Sequence, residues 1–287
     1  MNKYISKDFP FFMAMPAVAW HIVFFYIPLL IVFLYSLVKI SYGALHITFE
    51  HYFYFFQPLF FRIIGNSLLL AFITALICLL LAYPIAYSLA VRIKRYKNIF
   101  IFFLILPFWT SLMVQVYSWF FILGHEGLIN SLLLKLGLIR MPLYLLNTSL
   151  AIYIVMVYCY LPFMIMPLYS ALEKIDSRMF EASADLGASQ WQTFKNITIP
   201  LSMPGIKTGF FLVFVPSFGE FVVPTLLGGG KQLYVGSLIT QYFLAARDVH
   251  LGSAFTILSG IILLIAIGIL YWYFNSFRLK ADSKERV

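Results

Sequence analysis

Glu220 is the sole charge in an otherwise apolar run between Lys207 and Lys231. Carried along a helix at about 1.5 Å per residue from Lys207, its carboxylate would lie about 20 Å into a hydrocarbon layer about 30 Å thick. A charge there is costly, so such groups face a cavity or a bundle interior. Pro216, Gly219 and Pro224 flank it, weakening the helix and freeing carbonyls to line that space. Two chemistries fit. In one, the acid is an ion-pair site on the path of a cation, with Trp109, Tyr117 and Trp119 as candidate faces for cation–π contact. In the other, Glu220 is a structural hydrogen-bonding group near the outer interface, paired with a residue of a second subunit. Most of the aromatics, 19% of the chain, are expected in packing and in interfacial belts.

Other reactive types lack the spacing that chemistry needs. Gly228-Gly229-Gly230-Lys231 has neither the earlier glycine nor the following Ser or Thr of a phosphate loop, so the chain is not expected to hydrolyse ATP. His21 stands alone in an apolar run, and His46, His51, His125 and His250 show no metal-ligand spacing; no metal site is assigned. Cys78 and Cys159 lie inside apolar runs and suggest no disulfide framework. An intramembrane enzyme would need a second acid, base or metal ligand beside Glu220, and no span offers an obvious one.

The elements that must position Glu220 follow from composition. With 62% hydrophobic and 11% charged residues in 287, the chain is far from a soluble balance and reads as an all-α membrane protein. Stretches able to cross a bilayer fall at about 9–38, 63–91, 98–125, 141–172, 208–230 and 249–277, six spans in a single transmembrane domain over 1–287. The opening apolar run is too long for a signal-peptide core. One set of alternate connections holds Lys3, Lys7, Arg92, Lys94, Arg95, Lys97, Lys174, Arg178, Lys195, Lys207, Arg278, Lys280, Lys284 and Arg286; the other holds Lys39, Arg62, Lys135, Arg140, Lys231 and Arg247. The richer set belongs inside, which places both termini in the cytoplasm. The net charge of +9 is then mainly a topology signal, with no basic stripe on a soluble domain for nucleic acid.

Residues 173–207 form the one long connection, expected inside, and they read as folded. Asp176 or Ser177 can cap a helix through Leu186 that Gly187 stops. Ser189 and Gln192 have capping-box spacing for a second helix bearing Trp191, Phe194 and Ile197, with Pro200 ending it. Ser202 and Pro204 then open the fifth span. The hairpin presents Ala182, Ala184, Gly187 and Ala188 beside Glu181 and Asp185. Periodicity alone fits both a solvated surface hairpin and a knob for a partner's groove.

Glu181-Ala182-Ser183, three residues, Gly187, nine residues and Ile197-Thr198-Ile199-Pro200 resemble the EAA loop of bacterial ABC-importer permeases, with Ser183 for Ala and Ile199 for Leu as mild departures. Leu106 to Ser111, Gly127 to Asn130, Leu161 to Met164, Pro167 to Tyr169, Asp185 to Ala188, Gly219 to Pro224 and Leu226 to Gly229 are similar to the spermidine/putrescine branch of that family. Gln115 stands where relatives often carry Arg.

The resemblance implies a type I ABC-importer permease fold in a bacterial inner membrane, importing polyamines, with ATP and Mg held by a separate cytoplasmic ATPase dimer. It also implies a second, paralogous permease and an extracytoplasmic binding protein. Glu181, Ala182, Asp185, Gly187, Ala188, Phe194, Ile197 and Pro200 would then couple to the ATPase. Importers of ferric ion or an inorganic anion would share the loop; a secondary transporter would be expected to show internal repeats, and none is evident.

Overall fold

A computed structural model describes residues 9–41, 44–93 and 96–284. Lys3, Lys7, Lys94, Arg95 and Arg286, part of the charge pattern above, lie outside the described residues. Among the described residues six helices are long and apolar enough to cross a membrane: Met15–Leu37, Pro58–Val91, Leu112–Lys135, Ser149–Glu173, Gln190–Phe218 and Val249–Ser276.

Two compact units divide the chain. One joins residues 1–61 to 239–261. In it the first span ends in a hairpin of Val38–Ser41 and Ala44–Ile47, antiparallel with Val38 opposite Ile47. Its centre is the buried Phe55, in edge contact with Phe60 at 4.8 Å and packed on Phe255 at 5.0 Å. Ser36 Oγ pairs with Tyr52 Oη at 2.6 Å. Lys39 pairs with the exposed Glu50, and that hydrogen bond, then the ammonium charge, hold the Glu50 carboxyl below its ordinary range.

The larger unit spans residues 62–238 and 262–287. Its core is the pairing of the fourth and fifth spans. Gly205 and Gly209 make it possible, because a Cβ on Gly205 would lie 2.6 Å from Ala171 Cβ and 2.7 Å from the Pro167 carbonyl, and one on Gly209 2.7 Å from Met164 Sδ. Small residues four apart let two backbones approach where water exclusion gives no driving force between helices. Val213 and Phe214 of the fifth span and Met156, Met164 and Leu168 of the fourth are buried in that seam.

Two expected spans run differently. The apolar run at 98–125 is divided into Lys97–Ile105, a 3₁₀ turn Leu106–Trp109 and Leu112–Leu123. Pro107 cannot donate to the helix ladder, and Gln115 Nε2 binds the Pro107 carbonyl at 2.7 Å. The span continues instead through Leu128–Lys135, where Asn130 donates to Gly124 O and Leu143 O at 3.1 and 2.9 Å and accepts from Leu143 N at 2.8 Å.

The fifth span begins earlier than 208 and stops before Glu220. Pro200 does not end the second loop helix: a π turn at Phe194–Thr198 leads into Ile199–Phe218, with Pro200 in the first turn, where no intrahelical donor is needed. Ser202 caps nothing; it bonds Ile199 O at 3.1 Å and Tyr83 Oη at 2.8 Å.

Beyond Phe218 the chain breaks at Gly219-Glu220 and resumes as a short helix, Val222–Leu227. The Val235–Thr240 helix closes on this break, and Val235 N donates to Ser67 Oγ at 2.8 Å. Contact there requires Gly236, whose Cβ would lie 2.2 Å from the Gly219 carbonyl oxygen. Gly236→Ala should therefore destabilise the protein by about 1–3 kcal/mol through overpacking, read as a lowered unfolding midpoint of the purified protein; an unchanged midpoint would show that the break tolerates separation.

Candidate functional site

The site is built around the break. A helix interrupted inside a bilayer releases backbone groups that must find partners within the protein, and Glu220 supplies one. Its Oε1 accepts from Val222 N at 2.9 Å, at the start of the short helix, where a negative charge is favourable. Its Oε2 accepts from the Tyr160 hydroxyl of the fourth span at 2.7 Å. The side chain is 8% exposed. Among the described residues the ion pairs are Lys39 with Glu50 and Lys97 with Glu173, so Glu220 is held by hydrogen bonds and not by a cation of its own chain.

Tyr160 separates Glu220 from a cavity of about 820 Å³, within the range of ligand sites. The fourth span contributes Cys159, Tyr160, Pro162 and Phe163 to the wall, the fifth Thr208, Phe211, Leu212, Val215 and Pro216, and the kinked segment Pro107, Thr110, Leu112 and Gln115. Glu220 lies behind this wall and not on it. Neither Trp109, Tyr117 nor Trp119 lines the cavity: Trp109 is 77% and Tyr117 52% exposed, and Trp119 packs edge-on against Tyr158 at 5.3 Å. The aromatic faces on the wall belong to Tyr160, Phe163 and Phe211.

The long connection has the caps that the sequence indicates, though not its end at Pro200. Asp176 caps Ser177–Asp185 through Oδ1 to Arg178 N at 3.0 Å. Gly187 stops it at φ +77°, with Gly187 N on Ala184 O at 2.9 Å and Ala188 N on Ser183 O at 3.1 Å. The Ser189–Gln192 capping box is present. Ser183 Oγ and Thr193 Oγ1 bond at 2.7 Å, tying the two short helices together. Glu181, Ala182, Asp185 and Gly187 are exposed, Ala188, Phe194 and Ile197 half-buried and Pro200 exposed; Phe194 meets Tyr83 edge-on at 5.5 Å. Leu186, at the tip, is 89% exposed. The hairpin stands beside Glu173, whose Oε1 accepts from Lys97 Nζ at 2.6 Å, a contact that raises the Lys97 ammonium above its ordinary range.

Residues 82–278 match the family of binding-protein-dependent transport system inner membrane components. The chain belongs to that family. It is 41% identical over 258 residues to the spermidine/putrescine transport system permease protein PotB of Haemophilus influenzae, covering 89% of this chain and 90% of the relative. Against PotB of Escherichia coli the identity is 39% over 267 residues, 91% and 95% of the two chains. A solved bacterial ABC transporter that imports the acidic polysaccharide alginate superposes with a TM-score of 0.72 at 20% identity, over 96% of this chain and 97% of that one; this likeness carries the fold. The protein is thus a six-span, multi-pass inner-membrane permease of the ABC-importer type.

One residue of this candidate site escapes sequence reading. Tyr160 is one tyrosine among 19, and nothing in a linear pattern joins it to a carboxylate sixty positions away. The amide of Gln115 ties the kinked segment, donating to Pro107 O at 2.7 Å and Thr110 Oγ1 at 2.9 Å. Tyr160→Phe should cost about 1–3 kcal/mol by removing a donor from a buried charge, and less in a Glu220→Gln background; equal losses of thermal stability in the two backgrounds would deny the bond its role.

Proposed function

We propose that this permease is one half of the translocation path of an ATP-driven importer of polyamines, spermidine and putrescine. The observation that carries this reading is the identity of about 40% over nine-tenths of both chains to permeases of spermidine/putrescine systems. A buried carboxylate behind an aromatic-walled cavity accords with a polycationic substrate. An inorganic anion would meet that charge as a barrier.

On this reading the chain hydrolyses nothing itself. ATP and Mg are held by a cytoplasmic ATPase dimer, a second permease chain, a paralogue, completes the path, and an extracytoplasmic binding protein delivers the amine. The hairpin from Glu181 to Ile197 docks in a cleft of the ATPase, with Ala182, Gly187 and Ala188 leaving room for close contact, Leu186 as the apolar tip, and Glu181 and Asp185 on the rim. Phe194 and Pro200 join it to the fifth span, so that movement of the hairpin reaches the break at Glu220. ATP-driven closure of the ATPase shifts the balance between inward and outward access through its unequal affinity for the two states.

Proteoliposomes holding this permease, its partner permease and the ATPase, supplied with the binding protein, should take up labelled spermidine only with ATP. Glu220→Gln should lower uptake about tenfold or more with assembly intact, as expected when a preorganised charge is lost from a path. Leu186→Asp should leave the fold unchanged but abolish uptake by breaking the contact with the ATPase. Uptake without ATP would contradict the importer reading, and native failure with spermidine and putrescine would contradict the substrate class.

A further inference from the structure

Lys207 lies inside the Ile199–Phe218 helix of the fifth span and is half-buried. Its ammonium turns to the last span, where it donates to Asn275 Oδ1 and stands 5.7 Å from the centre of the Tyr271 ring. Both partners are neutral. Among the described residues no carboxylate pairs with it, the ion pairs there being Lys39 with Glu50 and Lys97 with Glu173. An ammonium has three N–H donors; one is committed to Asn275, and the ring attracts the charge without supplying a lone pair. Asn275 must face Lys207 with its oxygen, because an ammonium only donates. Its own amide N–H groups are therefore left over, with no acceptor among the described residues.

The surroundings say what could take these donors. Tyr271, Trp272 and Tyr273, near the end of the span Val249–Ser276, are each more than half exposed, and such a run of aromatics marks the headgroup level of a bilayer. Leu264, Ile265, Ile269 and Trp272 recur at helical intervals and are all exposed, an apolar stripe along the same helix. Helical spacing puts Asn275 in that stripe, beyond Trp272. The unpaired charge and the spare amide donors thus stand where an acyl chain lying along the stripe would end in its phosphate. Phosphate oxygens accept and never donate, which complements a site that offers N–H groups and positive charge. A charge left unpaired at a membrane helix is costly, and an anion at this point offsets that cost.

We propose that Lys207 and Asn275 form a binding site for the phosphate of an anionic phospholipid, with Tyr271 and Trp272 flanking the headgroup. Lys207 supplies the charge, and Asn275 both holds the ammonium and offers its own N–H groups. The site joins the fifth span to the last between the hairpin and the break at Glu220. It does not depend on which solute the permease carries.

The test uses the permease assembled with its partner permease and ATPase, delipidated in detergent. It is titrated with phosphatidylglycerol or with phosphatidylcholine of the same acyl chains, and bound lipid is counted by native mass spectrometry. The most tightly held lipid should be phosphatidylglycerol, preferred about fivefold. Lys207→Gln should remove that preference and Lys207→Arg should keep it, while Lys174→Gln, at an exposed lysine of the hairpin connection, should leave it unchanged. Should Lys207→Gln fail to assemble, Asn275→Asp gives the ammonium a carboxylate of its own chain and should show the same loss. Equal retention of the two lipids by the native assembly, or a preference that survives Lys207→Gln or Asn275→Asp, would overturn the proposal. Displacement of the lipid by millimolar inorganic phosphate would overturn it in favour of a free-anion site. Loss of the partner permease from Lys207→Gln with lipid retention intact would overturn it in favour of a carboxylate on that partner.

Discussion

A membrane-embedded helix that breaks must find partners inside the protein for the backbone groups it releases, since hydrocarbon supplies none. In this permease the fifth span breaks at Gly219-Glu220, and the Glu220 carboxylate answers that requirement. One oxygen starts the next helix at Val222, and the other reaches across to Tyr160. The fourth span, the fifth and the re-entering Val222–Leu227 segment are joined at this one group. Gly205, Gly209 and Gly236 bring the backbones close enough for the junction to close, and the cavity wall is what that junction leaves on its other side.

The same junction links the two ends of the machine envisaged here. The second helix of the connecting hairpin does not stop at its proline; it runs through a π turn into the fifth span. A displacement of the hairpin therefore has a continuous helix along which to act, ending at the break held by Glu220 and Tyr160. On the function proposed above, the interruption gives that lever something to deform. On the function proposed above, the two readings of Glu220, path residue and structural group, are not exclusive, since the carboxyl that organises the break bonds a residue of the cavity wall.

Much of this was legible in the sequence where local rules decide. Six spans follow from apolar runs, and the hairpin's caps at Asp176, Gly187 and Ser189 follow from side-chain chemistry within four residues. What escaped was long-range or depended on continuity. Pro200 signalled a stop because an interior proline breaks a helix, yet a π turn just before it absorbed the mismatch. Pro107 divided an apolar run that hydropathy treats as uniform. Trp109, Tyr117 and Trp119 are candidates by type, and side-chain type does not say which face of a helix meets the cavity that Phe163 and Phe211 line. Tyr160 could not be chosen from sequence, since its partner lies on another span.

Glu220 holds the break through Tyr160 and Val222 N, and on the function proposed above that junction responds to a loaded polyamine. Infrared difference spectroscopy of the assembled importer, with and without spermidine, tests this most directly, the Glu220 band being assigned by its loss in Glu220→Gln. The Glu220 band should shift on loading with spermidine and shift differently in Tyr160→Phe. A band that spermidine and Tyr160→Phe both leave unmoved would contradict this role of the carboxyl.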